Sequence, residues 1–327
     1  MFNNKNILIT GGTGSFGTEF VSHLLKNYRC KKIIIFSRDE LKQYNMEMKL
    51  KKFNNLRFLI GDIRDFDRIK FAFRNVDFIV HAAALKHVPI AEYNPLEFIK
   101  TNISGSSNIV SAAIDNNVKK VIALSTDKAV NPTNLYGATK LCAEKIFLDA
   151  NVLSGGNSTK FSIVRYGNVL NSRGSVIPLI LKYKSENKKE FPLTDERMTR
   201  FFIYLNDAAK FVCDSFRIMD KGEIFIPKMK SMYIKDLIKF IYPNCKFKKI
   251  GLRPGEKIDE VLMSNNEIDD VYQIKDGYVL IPKKKYYSSK LRHKLKKVNF
   301  SSEYNSRENS QFLNKQEISG LLKNFKL

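Results

Sequence analysis

Five short apolar runs punctuate the first part of the chain: "NILIT" (residues 6–10), "KIIIF" (32–36), "LRFLIG" (56–61), "DFIVHAA" (77–83) and "KVIALST" (120–126). Each is shorter than a helix needs and nearly unbroken in its apolar character, which reads as a strand buried on both faces. Amphipathic stretches such as "GTEFVSHLLKNY" and "PLEFIKTNISGSSNIVSAAIDNN" lie between them. The alternation predicts an α/β fold, a Rossmann-type doubly wound parallel sheet covered by helices, over residues 1–166.

After "KFSIVRYGNVL" the pattern loosens, and Pro178, Pro192, Pro227, Pro243 and Pro254 punctuate shorter elements. This predicts a smaller, partly discontinuous C-terminal substrate domain over residues 167–282. Segments near 201–227, including "DAAKFVCDSF" and "GEIFIP", are expected to return to the first domain. Residues 283–327 form a basic tail, of which 283–310 reads as mobile or peripheral, while "NKQEISGLLKNF" has helical spacing that could dock.

The formal charge of +23 would suit an anionic partner, but the excess is dispersed lysine rather than an arginine-rich reading surface, so no nucleic-acid partner is expected. The tail alone holds twelve Lys or Arg against three Asp or Glu. No apolar run approaches the roughly 20 residues of a membrane span, and residues 1–5 lead straight into a strand pattern, so the expectation is a cytoplasmic protein without a membrane partner. Cys30, Cys142, Cys213 and Cys245 are too scattered for a metal site or a disulfide framework.

Candidate chemistry begins at "LITGGTGSFGTEF". Gly12, Gly14 and Gly17 fit the G-x-G-x-x-G spacing, and Gly11, Gly14 and Gly17 a three-residue spacing, between a strand and a helix. That context suits a dinucleotide pyrophosphate at a helix N-terminus, with Thr13, Ser15 and Phe16 in the same turn. The second strand ends in "FSRDELKQ", where Ser37, Arg38, Asp39 and Lys42 are candidates for the ribose end. Arg38 favours the 2′-phosphate of NADP over NAD, although a solvated surface cation is the alternative. "GDIRD" puts Asp62 and Ile63 beside an adenine. In "HAAALKHVP", Ala82, Ala83 and Ala84 let a cofactor lie close, with Lys86 and His87 towards the cleft mouth; His87 could equally be an ordinary surface histidine.

Tyr136 and Lys140 are four apart in "LYGATKLCAEKIFLDA" and share one helix face. A neighbouring ammonium can lower a phenol's pKa and make it a base for a hydroxyl undergoing oxidation. Upstream, "STDK" ends the fifth strand, and the adjacent Asp127 and Lys128 form either a plain ion pair or an acid and a base. Side chains of neighbouring residues on an extended strand point to opposite faces, so a shared target requires a turn, which "AVNPTN" suggests.

With Thr126 included, these residues resemble the extended short-chain dehydrogenase/reductase superfamily. The closer resemblance is to its inverting UDP-N-acetylglucosamine 4,6-dehydratases, through "LITGGTGSFG", "FSRDELKQ", "HAAALKHVPIAEYNP", "ALSTDKAVNPTNLYGATK", "RYGNVLNSRGSVIP", "TDERMTRFFI", "GEIFIPKM" and "GLRPGEK". The basic tail resembles the family much less. The resemblance implies a nicotinamide cofactor, NADP with NAD possible, tightly bound and returned unchanged. It implies a lyase that oxidises C4 of UDP-GlcNAc, eliminates water across C5–C6 and returns hydride to C6, opening pseudaminic acid or related 6-deoxy amino-sugar biosynthesis. Tyr136 takes the C4 hydroxyl proton. Lys128 is the C5 base, for which its pKa must fall, and Asp127 the acid at the leaving oxygen, for which its pKa must rise. Asn168, Arg173, Arg200, Arg253 and Glu256, with Lys86 and His87, are the expected substrate contacts. A homo-oligomer, plausibly a hexamer, is also implied. The competing readings are a UDP-sugar 4-epimerase, which has no use for the acid and base at 127 and 128, and a non-enzymatic dinucleotide-binding scaffold or nucleic-acid binder.

Overall fold

The apolar runs pair side by side as parallel strands. In the computed structural model, which describes residues 1–155, 159–170, 175–283, 289–314 and 316–318, β1 (Asn6–Thr10), β2 (Lys32–Ser37), β3 (Leu56–Ile60), β4 (Phe78–His81), β5 (Lys120–Thr126) and β6 (Lys160–Tyr166) lie in the order β3-β2-β1-β4-β5-β6. The order reverses at β1, so the crevice at the carboxyl ends of β1 and β4 is where such a sheet binds ligands. Helices cover both faces, which is why Ile7, Leu8, Ile9, Ile79, Val80, Val121 and Ile122 are all buried.

The helices of this half are α1 (Ser15–Asn27), α2 (Glu40–Leu50), α3 (Phe66–Ala72), α4 (Val88–Tyr93), α5 (Pro95–Phe98), α6 (Gly105–Asp115) and α7 (Leu135–Leu153). Asp39 and Asp65 cap α2 and α3 by accepting from Lys42 N and Arg68 N. A π-helical turn at Ile99–Ser104 interrupts the long amphipathic stretch. It carries Asn102, whose side chain bonds Leu85 N (2.9 Å), Leu85 O (2.8 Å) and Thr139 Oγ1 (3.0 Å), tying the loop after β4 to α7.

Beyond β6 come β7 (Asn168–Val169), α8 (Val176–Ser185), β8 (Glu190–Leu193), β9 (Thr199–Ile203), α9 (Leu205–Ile218), β10 (Ile224–Pro227), β11 (Lys230–Tyr233), α10 (Ile234–Ile241), β12 (Lys246–Lys249), β13 (Val261–Met263), β14 (Val271–Ile274), β15 (Gly277–Leu280) and β16 (Tyr304–Asn305). β10 lies parallel to β6, and α9 packs on α1. The hairpin β14–β15 extends the same sheet antiparallel from β10, so residues 271–280 belong to the large sheet and not to the smaller unit. A second apolar cluster, around Leu170, Ile177, Ile180, Phe191, Phe202, Leu237 and Ile238, holds the small sheet β11-β9-β7 and the pair β12-β8.

The expectation of a peripheral tail is corrected over its described part. Val298 N donates to Val271 O at 2.9 Å, Arg292 Nη2 to Ile281 O at 2.8 Å, and β16 pairs with β13. These are bonds to and between backbone groups, which leave no apolar pattern in the sequence. "NKQEISGLLKNF" is described only in part; there, Ile318 is buried in the second cluster, and residues 319–327 lie outside the described residues. Among the described residues, no helix is long and apolar enough to cross a membrane, and no group of His, Cys, Asp and Glu could hold a metal ion.

Candidate active site

The turn after β1 is built by close approach. Gly11 has φ +65°, and a Cβ on it would stand 2.8 Å from Ala83 N; a Cβ on Gly17 would stand 2.6 Å from the backbone of Gly12. Gly14 is different, because its ideal Cβ meets only Gly11 O, at 3.0 Å, which leaves its outer side open. It is also the N-cap of α1 and provides no side-chain cap. Open backbone at an uncapped helix N-terminus fits a pyrophosphate. Thr13 Oγ1 donates to Ser37 Oγ at 3.1 Å, which fixes the turn against the end of β2. Ser15 opens α1. Phe16 faces inward, its ring stacked on Phe20 and Tyr166.

At the ribose end, Ser37 also faces inward: its Oγ takes Gln43 Nε2 at 3.0 Å besides Thr13. Arg38 is half exposed and reaches Asp62 Oδ2 at 3.5 Å. Burial works against the Asp62 carboxylate, but Arg64 and Arg38 hold it below its ordinary value. Asp39 pairs with Lys42 at the start of α2. Ile63 is buried against Gly105 of α6. Beyond β4, Ala82 and Ala83 line the glycine turn; Ala84, Lys86 and His87 are exposed, and His87 precedes α4 without capping it.

Thr126, the last residue of β5, is followed at once by a 3-10 turn, Asp127–Ala129. The chain therefore turns at Asp127 and Lys128 themselves, earlier than "AVNPTN" suggested, and both side chains fall on one side. Thr126 Oγ1 donates to Asp127 Oδ1 at 2.8 Å, and Lys128 Nζ to the same oxygen at 3.1 Å and to Asn168 Oδ1 at 3.3 Å. Asp127 is fully buried, and its Oδ2 has no partner among the described residues. Tyr136 and Lys140 follow on the first turns of α7, whose N-cap Asn134 accepts from Gly137 N at 2.8 Å.

The electrostatics follow the expectation at one member of the pair and reverse it at the other. Burial, joined by Glu260, pushes the Asp127 carboxyl up. Burial also works against the Lys128 charge, but Asp127 and Glu260 outweigh it, so its ammonium is held above its ordinary value, not below. Lys140 is turned towards the end of β5. Its Nζ donates to Leu124 O at 2.8 Å, and burial pulls it down to about 8. Burial pushes Tyr136 up to about 12 against the opposing pull of Lys128 and of a hydrogen bond with Thr126. In this state the phenol is protonated.

The second half of the chain closes over this centre. Asn134 Nδ2 and Thr133 Oγ1 donate to Gly255 O at 2.8 and 2.9 Å, and Lys257 Nζ to Val130 O at 2.6 Å. The loop so anchored delivers Glu260, 3% exposed, with Oε1 3.2 Å from Lys128 Nζ.

The model of the polysaccharide biosynthesis protein family matches residues 7–282. The chain belongs to that family. Within the polysaccharide biosynthesis proteins, it is 50% identical over 325 residues to a Campylobacter jejuni protein named UDP-N-acetylglucosamine 4,6-dehydratase (inverting), 97% of each chain being covered. It is 40% identical over 336 residues to a Rickettsia bellii protein named UDP-glucose 4-epimerase, covering 99% of this chain and 97% of the other. The X-ray structure of Pen from Bacillus thuringiensis superposes with a TM-score of 0.90 at 38% identity, over 100% of this chain and 99% of that one.

In this polysaccharide biosynthesis protein, the expected substrate contacts divide. Asn168 reaches the centre through Lys128. Arg253 is exposed on the closing loop, its N donating to Glu256 Oε2 at 3.3 Å. Arg200 is corrected: Nη1 donates to Thr199 O and Ile258 O, and Nη2 to Lys257 O, each within 2.8 Å, so the guanidinium braces the loop and is not presented to a diphosphate. Arg173 lies outside the described residues. Glu260 escaped the sequence reading, the only signal being a carboxylate immediately before the buried run "VLM".

Proposed function

We propose that the chain is a C5-inverting UDP-N-acetylglucosamine 4,6-dehydratase. The observation that carries the reading is the buried Asp127, hydrogen-bonded to Lys128 one residue on, beside Tyr136 at the carboxyl end of β5. It is supported by 50% identity to a relative with that name. The 40% identity to a named 4-epimerase keeps the second reading in view, but an epimerase has no use for an acid and a base at C5 and C6.

A nicotinamide dinucleotide over the Gly11–Gly17 cradle supplies a hydride acceptor and donor and, when oxidised, a positive charge. NADP is favoured by Arg38, half exposed at the end of β2, although Asp62 competes for its guanidinium. Tyr136 takes the C4 hydroxyl proton; the Lys128 ammonium favours its anion. The C4 ketone acidifies C5–H. Lys128 removes that proton, and Asp127, whose burial pushes its carboxyl towards the protonated form, gives its proton to the departing C6 oxygen. With the hydride taken from C4 returned to C6, a proton from solvent added to C5 on the face opposite Lys128 inverts that centre, and the product is a UDP-2-acetamido-2,6-dideoxy-L-arabino-4-hexulose, a precursor suited to pseudaminic acid-type sugars. Ile90, Tyr93 and Leu96, exposed along α4 and α5, support assembly into a homo-oligomer.

Mass spectrometry of UDP-GlcNAc incubated with the protein tests the reading. A product lighter by one water is expected; an isobaric product would favour the epimerase.

A further inference from the structure

The reaction just proposed uses one of the two carboxylates on Lys128. The other is Glu260, whose Oε1 is as close to Nζ (3.2 Å) as Asp127 Oδ1 is (3.1 Å). Glu260 is held firmly: its N donates to Ser306 Oγ at 3.0 Å, its O accepts from Ser306 N at 2.9 Å, and Arg200 Nε lies 3.6 Å from Oε1. Its Oε2, like Asp127 Oδ2, is buried with no partner among the described residues. A buried carboxylate oxygen left unpaired is costly, and a proton reduces that cost.

Elimination requires a lone pair on Lys128 and a proton on Asp127 at the same moment. An ammonium paired with Asp127 alone asks that carboxylate to be counterion and acid at once. A second carboxylate removes the conflict. We infer that Glu260 is the counterion and proton acceptor of Lys128, holding the ammonium while Asp127 stays protonated and taking its proton before Lys128 attacks C5–H. This rests on the dehydratase reading.

The protons balance. One Nζ–H bond breaks and an Oε–H bond forms on Glu260, the electron pair staying on Nζ. Nζ then takes the C5 proton, the C5–H pair becomes the C5–C6 double bond, and the C6–O pair leaves with the Asp127 proton as water. The proton on Glu260 passes back through Lys128 to Asp127, which restores the starting arrangement. The charges facing Lys128 suit the counterion role: Asp127 from its own turn, Glu260 and Lys257 from the closing loop, Arg200 from β9 and the Tyr136 phenol from α7. Burial works against the Glu260 carboxylate, yet Lys128, Arg200 and Lys257 hold it below its ordinary value while Asp127 is pushed up, so the resting proton sits on Lys128 and its transfer to Glu260 is an uphill step. Glu260 acts on the sugar only through Lys128, which makes it a positioning residue.

Glu260→Gln keeps the shape and cannot take the proton. In a single turnover of the cofactor-loaded protein with UDP-GlcNAc in D2O, the variant should oxidise C4 at the wild-type rate, seen as reduced-nicotinamide absorbance. It should lose water and take up deuterium at C5 slower by about 10²-fold or more, with Glu260→Asp partly restored. In the ligand-free protein, the 15Nζ resonance of Lys128 should titrate at lower pH in Glu260→Gln than in wild type. Water loss at the wild-type rate in Glu260→Gln would overturn the proposal. So would oxidation and elimination falling together with the Lys128 titration unmoved, the mark of a merely structural role. If the wild type itself releases no water, the dehydratase reading fails, and the Lys128 titration alone decides the pairing with Glu260.

Discussion

A methyl group added at Gly137 would stand 2.2 Å from the carbonyl oxygen of Lys128. The first turn of α7, which carries Tyr136, therefore rests directly on the turn that carries Asp127 and Lys128. No side chain fits between them.

Gly137→Ala should force the two apart. The expected cost is about 1–3 kcal/mol of stability, read as a lower melting temperature. Turnover should fall further than cofactor affinity, because the glycine cradle lies elsewhere.

Lys128→Ala and Tyr136→Phe should separate the two halves of the reaction. Tyr136→Phe is expected to block C4 oxidation. Lys128→Ala should slow oxidation, seen as nicotinamide reduction on adding UDP-GlcNAc, only modestly, through loss of the ammonium that favours the Tyr136 anion. It should lower water loss much further, by about 10²–10⁴-fold. Equal loss of both steps in Lys128→Ala would contradict the assignment of Lys128 to C5.

His81 gives the fold an acid sensitivity unconnected with catalysis. Thr10 Oγ1 accepts from Ala82 N and Ala83 N, so it donates its own proton to His81 Nδ1 at 2.8 Å, and the ring is neutral. Burial, helped by Lys140, pulls His81 down to about 3. The unfolded chain binds a proton below about pH 6.5 that the folded one refuses, so this contribution is complete above that pH and is lost as the pH falls towards 3. The loss should reach about 2 kcal/mol near pH 5. Urea unfolding at several pH values should show a flatter acid limb in His81→Gln.

Arg38→Ala should weaken NADP binding by roughly ten-fold or more and leave NAD nearly unchanged, as expected for loss of a charged hydrogen bond to a 2′-phosphate. Calorimetric titration with both cofactors measures it. Parallel losses would assign Arg38 to its pairing with Asp62 alone.

Much of this architecture was legible because burial on both faces writes continuous apolar runs. "NILIT" and "KVIALST" match β1 and β5 residue for residue, and the glycine spacing located the cradle. The hairpin β14–β15 was not legible, since two four-residue strands at a sheet edge leave too short a pattern. Charges misled for a related reason. Tyr136 and Lys140 share a helix face, yet the Lys140 ammonium turns to Leu124 O, while Lys128, from another turn, also bears on the phenol. Arg200 and Glu260 meet only because β9 and the loop before β13 converge, a relationship that sequence spacing cannot carry.

The most direct test of the acid–base assignment at Asp127 and Lys128 is the position of deuterium in product made from UDP-GlcNAc in D2O, read by NMR. Solvent deuterium at C5 of a 6-deoxy-4-keto sugar, with none at C6, is the predicted result, because Lys128 exposes C5 to exchange while hydride returns to C6 internally. A product that keeps its C6 hydroxyl and its original C5 proton would contradict it.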